Sequence, residues 1–363
     1  MQIPDLRALR AWPRSWAMLG FELGHDADGE RRDINRIPRY RALAALQYHF
    51  ETGDEALLRY LFIEETAAHE ALPEDGLSDA LVLGACLLAR LLDPTDLPVL
   101  ARARAASFDT EMGLPLSCLH VVRNTAQGAR WTQEHAALVS SWETRWPQLV
   151  TAADDLDREW AHLQRKFPTR ASLERPVDLA NRHLAFGEPD VAVDILQTCL
   201  TAAEDSEVRT RLVTALRAAG RYTEAAIQVA QQLPRCTGER ELAGKLAELI
   251  GLYVLAEAPA RAGRAIRRLD GLFGESRGLR TSGVVRHAAR YAWETVSAHP
   301  DEQTARELYA IVNAWFEDLS GLPIADLETA FNAARRCGYH DDAERYAHWA
   351  ADQQAAIDAF LAD

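Results

Sequence analysis

Arginine is concentrated in one stretch of the sequence, residues 261–290, which holds eight arginines and two acidic residues. The local charge is therefore +6 in a chain whose net charge is −14. The guanidinium group donates hydrogen bonds in pairs, a geometry that fits carboxylates and phosphates. Helical spacing places Arg264, Arg267 and Arg268 on one face. We predict that these three arginines bind an anionic partner; the alternative is that acidic side chains elsewhere in the chain neutralise them.

Three other segments contain metal-binding residue types at incomplete spacings. The sequence HEALP at His69 begins like a zinc-protease motif, but Pro73 stands where the second histidine is required. Residues 154–159 (DDLDRE) partly match an aspartate-rich magnesium motif, or they form a solvated helix face. His340 and His348 are two helical turns apart, too far for one unbent metal site. The sequence therefore predicts no metal, no cofactor and no catalytic residue.

The nine tryptophans are many for 363 residues. Trp142 and Trp146 lie four residues apart, and Trp160 follows them in the same half of the chain. Tryptophan serves both as a core anchor and as a frequent binding hot spot. These three side chains are therefore expected either to fill the core or to border a groove.

The acidic composition argues against two classes of partner. A net charge of −14 opposes general attraction to nucleic acid and to anionic membrane surfaces. The longest apolar run, Ala80–Ala89, is too short to span a bilayer, which takes about 20 residues. Five widely separated cysteines favour reduced thiols in a cytoplasm. The abundance of arginine and alanine is typical of a GC-rich bacterial genome.

Apolar residues recur every three or four positions almost throughout, which predicts an all-α protein. Candidate helices cover residues 39–51, 54–70, 77–92, 95–107 and 132–165, with a break at Pro147 in the last because proline lacks the amide hydrogen that an inner turn needs. The proline-containing segment 166–176 is the candidate junction. It divides an irregular helical region, residues 1–166, from a more repetitive region, residues 172–363.

The second region contains a repeated turn. Aligning Gly187 with Gly220, 33 residues later, also aligns Ala192 with Ala225 and Leu196 with Val229, and Gly338 is again followed by an alanine five residues later. This pattern resembles the tetratricopeptide repeat (TPR), a 34-residue pair of helices joined by a glycine turn. It departs from the family because the spacing is 33, because Pro189 replaces the aromatic residue after the glycine, and because the closing proline is missing.

Two more hairpins are expected near 239–273 and 280–319. The resemblance implies an α-solenoid of antiparallel helix hairpins, whose concave face is lined by the first helix of each pair. A non-repeating helical bundle is the alternative fold.

The resemblance implies a cytoplasmic, non-enzymatic scaffold or adaptor that binds a protein or peptide, as a regulator, a chaperone or an immunity protein. Candidate contacts are the first-helix residues Asn181, His183, Arg209 and Arg217. Arg264, Arg267 and Arg268, here called the arginine surface, are further candidates. The alternative is an all-α enzyme with its site within residues 77–165. In that case the segment SFDTEMGLP, residues 107–115, is the first loop to inspect, unless it is a helix-ending turn.

Overall fold

The chain is almost entirely helical, as its apolar periodicity predicts. A computed structural model describes residues 6–26, 28–202, 205–280, 283–316 and 322–362. Within these residues the strands are β1 (Leu23–His25) and β2 (Arg31–Asp33), which pair as a short antiparallel hairpin. None of the helices in this part of the chain is long and apolar enough to cross a membrane.

The residues form two compact units, Met1–Gly187 and Glu188–Asp363, here called unit 1 and unit 2. The helices of unit 1 are α1 (Leu6–Ala11), α2 (Arg36–His49), α3 (Glu55–Ala71), α4 (Asp79–Arg90), α5 (Leu97–Arg104), α6 (Phe108–Gly113), α7 (Ser117–Arg123), α8 (Ala126–Glu134), α9 (Ala136–Arg145), α10 (Gln148–Thr151), α11 (Ala153–Lys166) and α12 (Pro176–Ala185). Short 3-10 helices cover Pro13–Leu19, Pro73–Asp75, Pro94–Asp96 and Ala171–Leu173.

The helical segment 132–165 is broken at three points, whereas one break was expected. The break at Pro147 is confirmed, since α9 ends at Arg145 and α10 begins at Gln148. A second break falls at His135, between α8 and α9, and a third at Ala152. Trp131 stacks on His135 with ring centroids 4.0 Å apart, a local contact that spacing alone does not reveal.

The core of unit 1 lies where α2, α3 and α4 pack together around buried leucines, alanines and Phe62. A charged cluster is enclosed beside it. Arg39 of α2 is fully buried, donates from Nε to Glu65 at 2.7 Å, and also pairs with Asp33. Burial alone would lower the pKa of Arg39, but the two carboxylates hold it above its usual value. The second oxygen of Glu65 accepts a hydrogen bond from Ser78 at 2.7 Å.

The first unit extends past the expected junction at 166–176. Buried Arg182 on α12 pairs with Glu174 at 2.6 Å and donates to the Tyr48 hydroxyl at 2.7 Å and to Gln47 at 2.9 Å. Gln47 in turn donates to the carbonyl of Pro168 at 2.8 Å. Because these groups join α12 to α2, α12 belongs to unit 1, which ends at Gly187.

The helices of unit 2 follow one another with short connections. They are α13 (Pro189–Ala202), α14 (Ser206–Ala218), α15 (Tyr222–Ala230), α16 (Glu239–Leu255), α17 (Pro259–Glu275), α18 (Arg277–Arg280), α19 (Gly283–Ala298), α20 (Glu302–Phe316), α21 (Ile324–Cys337) and α22 (His340–Ala362), with a 3-10 helix at Leu233–Arg235. Consecutive long helices pack against each other, and α19 also packs against α16 and α21. The two helix pairs expected near 239–273 and 280–319 are present as α16 with α17 and α19 with α20.

Candidate ligand groove on the first helices of unit 2

The Gly220 and Gly338 turns of unit 2 have a common backbone geometry. Gly220 and Gly338 have φ angles of 70° and 83°, the left-handed conformation that glycine adopts easily. After each glycine, the next amide donates to the carbonyl five residues earlier, Arg221 to Leu216 at 2.8 Å and Tyr339 to Ala334 at 2.9 Å. This is the Schellman hydrogen bond that ends many helices. The predicted role of these two glycines in ending helices is therefore confirmed.

Two further turns lack a glycine, and the Glu257 turn alone of these two keeps the backbone geometry described above. Glu257 lies between α16 and α17 with φ of 52°, and the following amide, Ala258, donates to Tyr253 at 2.8 Å. Pro300 is the middle residue between α19 and α20. Alanines five positions later, Ala262 and Ala305, are buried at 0% and 2% exposure, like the alanines that follow the three glycines. Because these turns contain no glycine, the glycine pattern in the sequence does not mark them. The alanine five positions later is the sequence feature that they share with the glycine turns.

The distances between successive turns are unequal, which hides the recurrence of the turns in the sequence. Gly187, Gly220, Glu257, Pro300 and Gly338 are 33, 37, 43 and 38 residues apart. No single repeat length therefore describes the region. We call the helices before the turns in unit 2, α14, α16, α19 and α21, the first helices, and those after them, α15, α17, α20 and α22, the second helices.

Three first helices contribute to one groove, here called the first-helix groove. It has a volume of about 40 Å³ and is lined by Arg217 of α14, by Ala247, Glu248, Gly251, Leu252 and Leu255 of α16, and by His287 and Tyr291 of α19. Ligand pockets for small molecules usually measure about 300–1,000 Å³. The groove is therefore the size of a recess for a side chain and is too small for a whole cofactor.

The groove combines charged, aromatic and apolar groups. Arg217 and His287 are exposed, and Leu255 is 39% exposed. Glu248 pairs with Lys245, one turn earlier, at 3.1 Å. Donors, an acceptor and apolar surface thus lie side by side, an arrangement suited to a polypeptide whose backbone and side chains offer the same mixture.

The predicted first-helix residues have different environments. Arg217 lines the groove. Arg209, on the same helix, is 8% exposed and donates to Gln228 of α15 and to Gln231, directly after α15, at 2.6 Å each. Its guanidinium therefore joins α14 to α15. On α12 in unit 1, Asn181 is half-buried and His183 is 6% exposed.

The predicted arginine surface lies on a second helix. Arg264, Arg267 and Arg268 are all exposed on α17. Arg267 pairs with Glu307 of α20 at 3.4 Å, whereas Arg264 and Arg268 form no hydrogen bond or ion pair with the residues that the structure describes. Arg290, at the end of the basic stretch, pairs with Glu294 at 2.8 Å. Acidic neighbours thus neutralise part of the stretch and leave two arginines of the α17 surface available.

One catalytic-looking motif was overlooked in the sequence. Residues 274–278, GESRG, have the Gly-x-Ser-x-Gly spacing of a nucleophile elbow, which requires a strand before the serine and a helix after it. Here Ser276 ends α17, its amide donating to Leu272 at 2.9 Å. Among the described residues, no histidine or carboxylate bonds to its hydroxyl. The local structure is a helix end and does not form an elbow.

The segments that suggested chemistry in unit 1 form ordinary helical structure. Residues 108–113 are the helix α6, begun by a capping box between Ser107 and Thr110. His69 accepts from the Ser78 amide at 3.2 Å and bonds the Glu65 carbonyl at 2.9 Å. Asp155 in the acidic segment pairs with Arg158. Among the described residues no three His, Cys, Asp or Glu side chains are grouped to hold a metal.

Trp142 and Trp146 do border a groove, in unit 1, although Trp146 is largely buried at 4% exposure. Trp160 is half-buried and packs against the core. The sequence left core and groove open for all three tryptophans, and the structure shows both placements among them.

Comparisons with known proteins give the chain no family. No protein-family model matches it, and no curated protein sequence matches it significantly. The function must therefore be argued from the grooves and surfaces described above.

Proposed function

We propose that the protein is a TPR-like helical-repeat scaffold that binds a protein or peptide along the first helices of unit 2. The observation that carries the proposal is the convergence of Arg217, Glu248, His287 and Tyr291, from three first helices, on one groove. A surface assembled from successive helices suits an extended ligand, because each helix contacts a different part of it.

The proposed solenoid is supported by the way the helices contact one another. In a stacked array, each first helix packs against its own second helix and against the next first helix. Here α16 packs against both α17 and α19, and α19 against both α20 and α21. The buried alanine five residues after each turn allows close approach of the second helix at the same point in every pair.

The compartment and the class of role are also proposals. The five cysteines are free thiols, which supports a reducing compartment such as a bacterial cytoplasm. Adaptor, regulator, chaperone and immunity roles share the same binding step, and the groove does not distinguish them. An enzyme within residues 77–165 is not favoured by any group of side chains described above.

Site-specific photo-crosslinking in cells of the source organism tests the proposal directly. A benzoylphenylalanine residue is introduced at His287 or Arg217 in the groove, at Arg264 or Arg268 on α17, and at Ala351 on α22 as the exposed control. We expect one macromolecular adduct from both groove positions and none from Ala351.

Two other outcomes are informative. Adducts only from Arg264 and Arg268 would move the partner to the second helices and refute the groove. The absence of a specific adduct at all four positions, with the variants folded and expressed at native level, would refute the binding function of unit 2.

A further inference from the structure

A second, larger groove lies in unit 1 between α5 and α9 and has a volume of about 410 Å³. One wall is a single face of α5 and the residue that follows it, formed by Pro98, Ala101, Arg102 and Ala105. Their spacing of i, i+3, i+4 and i+7 places them together on the helix. The volume lies within the usual range for small-molecule sites, about 300–1,000 Å³.

The opposite wall is large and aromatic. Leu138 and Trp142 of α9 line it, and Trp146, directly after α9, is 4% exposed. Trp131 stacks on Trp142, with ring centroids 6.1 Å apart and planes 12° from parallel, which fixes the orientation of the Trp142 ring. The space exists because proline and alanine on one wall face leucine and tryptophan on the other. We call it the tryptophan groove.

Both charged residues that line the tryptophan groove are arginines. Arg102 donates to Glu70 from Nε and Nη2 at 2.8 and 2.7 Å, and Arg145 donates to Glu111 from the same two atoms at 2.6 and 2.8 Å. These pairs hold the two guanidinium groups in place. The Nη1 nitrogen of each arginine makes no hydrogen bond to the described residues and remains able to donate.

A third guanidinium adds positive charge behind the aromatic wall. Arg104 lies over the Trp146 ring at 5.5 Å from its centroid, and Arg145 lies over the same ring at 5.6 Å. Burial lowers the pKa of Arg104; the carboxylates of Glu159 and Glu111 act in the opposite direction, and the charge of Arg145 adds a smaller lowering effect.

We propose that the tryptophan groove binds a small amphipathic carboxylate, with an aromatic or short acyl body between α5 and Trp142 and its carboxylate at Nη1 of Arg102 or Arg145. The apolar walls would pack against the aromatic or acyl body, and the two arginines would bind the carboxylate. This proposal concerns unit 1 and does not depend on peptide binding by unit 2.

Titration of the full-length protein with 1-naphthaleneacetate, followed by calorimetry and by tryptophan fluorescence, tests the proposal. The matched probe is 1-naphthaleneacetamide, which keeps the ring and removes the charge. We expect saturable one-to-one binding of the acetate, and at least about tenfold weaker binding of the amide, a change of about 1.4 kcal/mol.

Substitutions then test whether the probe binds in the tryptophan groove. Ala105→Leu should abolish binding by filling the groove, and Arg102→Gln with Arg145→Gln should weaken it at least about tenfold. Arg158→Gln, which removes an exposed arginine paired with Asp155 outside the groove, should leave binding unchanged. Arg102 and Arg145 have exposed side chains, so their variants remain informative if Ala105→Leu does not fold. Equal binding of acetate and amide, unchanged binding in the double arginine variant, or no saturable binding of the acetate would each overturn the proposal.

Discussion

The ring of Tyr291 on α19 lies against Gly251 on α16, so close that a β-carbon added to the glycine would be 3.0 Å from the ring carbon Cδ2. The missing side chain therefore makes room for the aromatic ring. Tyr291 and Gly251 both line the first-helix groove. The shape of the groove thus depends on a contact between two first helices.

Gly251→Ala and Gly244→Ala should differ in stability, although both replace glycine inside α16. Alanine in a helix interior is favoured over glycine by about 0.5–1 kcal/mol, and we expect that gain at Gly244, where nothing lies within 4 Å of the added carbon. At Gly251 the methyl group displaces the Tyr291 ring, and we expect the gain to be lost. Urea unfolding measures both. In a Tyr291→Ala background the two glycine variants should become equivalent; a persisting difference would exclude the ring as its cause.

Arg39→Met should destabilise unit 1 far more than Arg102→Met. Removing Arg39 leaves Glu65 and Asp33 buried without their cation, a change that typically costs about 3–5 kcal/mol. Arg102 also pairs with a glutamate, Glu70, but its side chain is 53% exposed, and exposed pairs contribute about 0–1 kcal/mol. The free energy of unfolding by urea checks the comparison. Equal losses in the two variants would show that burial does not control the contribution of Arg39.

Gly220→Ala and Glu257→Gly should have opposite effects. Both residues occupy the same left-handed turn position, where a side chain costs about 1–2 kcal/mol. The alanine should therefore destabilise by about 1 kcal/mol, since no atom within 4 Å adds a steric penalty. Glu257→Gly should stabilise the fold by about 0.5–1 kcal/mol, because relief of the backbone strain exceeds the larger conformational entropy that glycine loses on folding. Thermal and urea unfolding test both changes, and a destabilised Glu257→Gly would imply that the carboxylate makes a favourable interaction.

The five thiols should react at two distinct rates in the native protein. Cys86, Cys118 and Cys337 are buried, whereas Cys199 and Cys236 are half-buried. Burial raises the pKa of Cys86 to about 11 and that of Cys118 well above its usual value, which leaves little thiolate at pH 8. Labelling with iodoacetamide, located by peptide mass spectrometry, should modify Cys199 and Cys236 first. In urea all five should react alike; early labelling of Cys86 in the native state would contradict the burial of α4.

The sequence predicted features that depend on local chemistry. Apolar spacing identified the helical class, and Gly220 and Gly338 marked two helix ends because few other residues adopt their backbone conformation easily. In each case the relevant neighbours lie within a few residues of one another in the chain.

Features that depend on distant contacts were missed. Glu257 occupies a position that favours glycine, so its turn gave no sequence signal. The buried guanidinium of Arg209 bonds to Gln228 on α15 and to Gln231 directly after it, contacts that helical spacing within α14 cannot indicate. The groove itself joins Arg217 to Tyr291, 74 residues apart, through the packing of three helices.

The fixed distance from each turn to its buried alanine, combined with the variable distance from one turn to the next, has a consequence for how the chain can diverge. Insertions that fall beyond the alanine lengthen a second helix, or the connection to the following first helix, and leave the turn intact. Unit 2 should therefore tolerate insertions at the end of a second helix or in the connection that follows it. A single residue inserted between a turn and its alanine would instead rotate the second helix by about 100° and expose its apolar face. Such freedom would allow the distances between turns to vary while each turn keeps its spacing to the buried alanine.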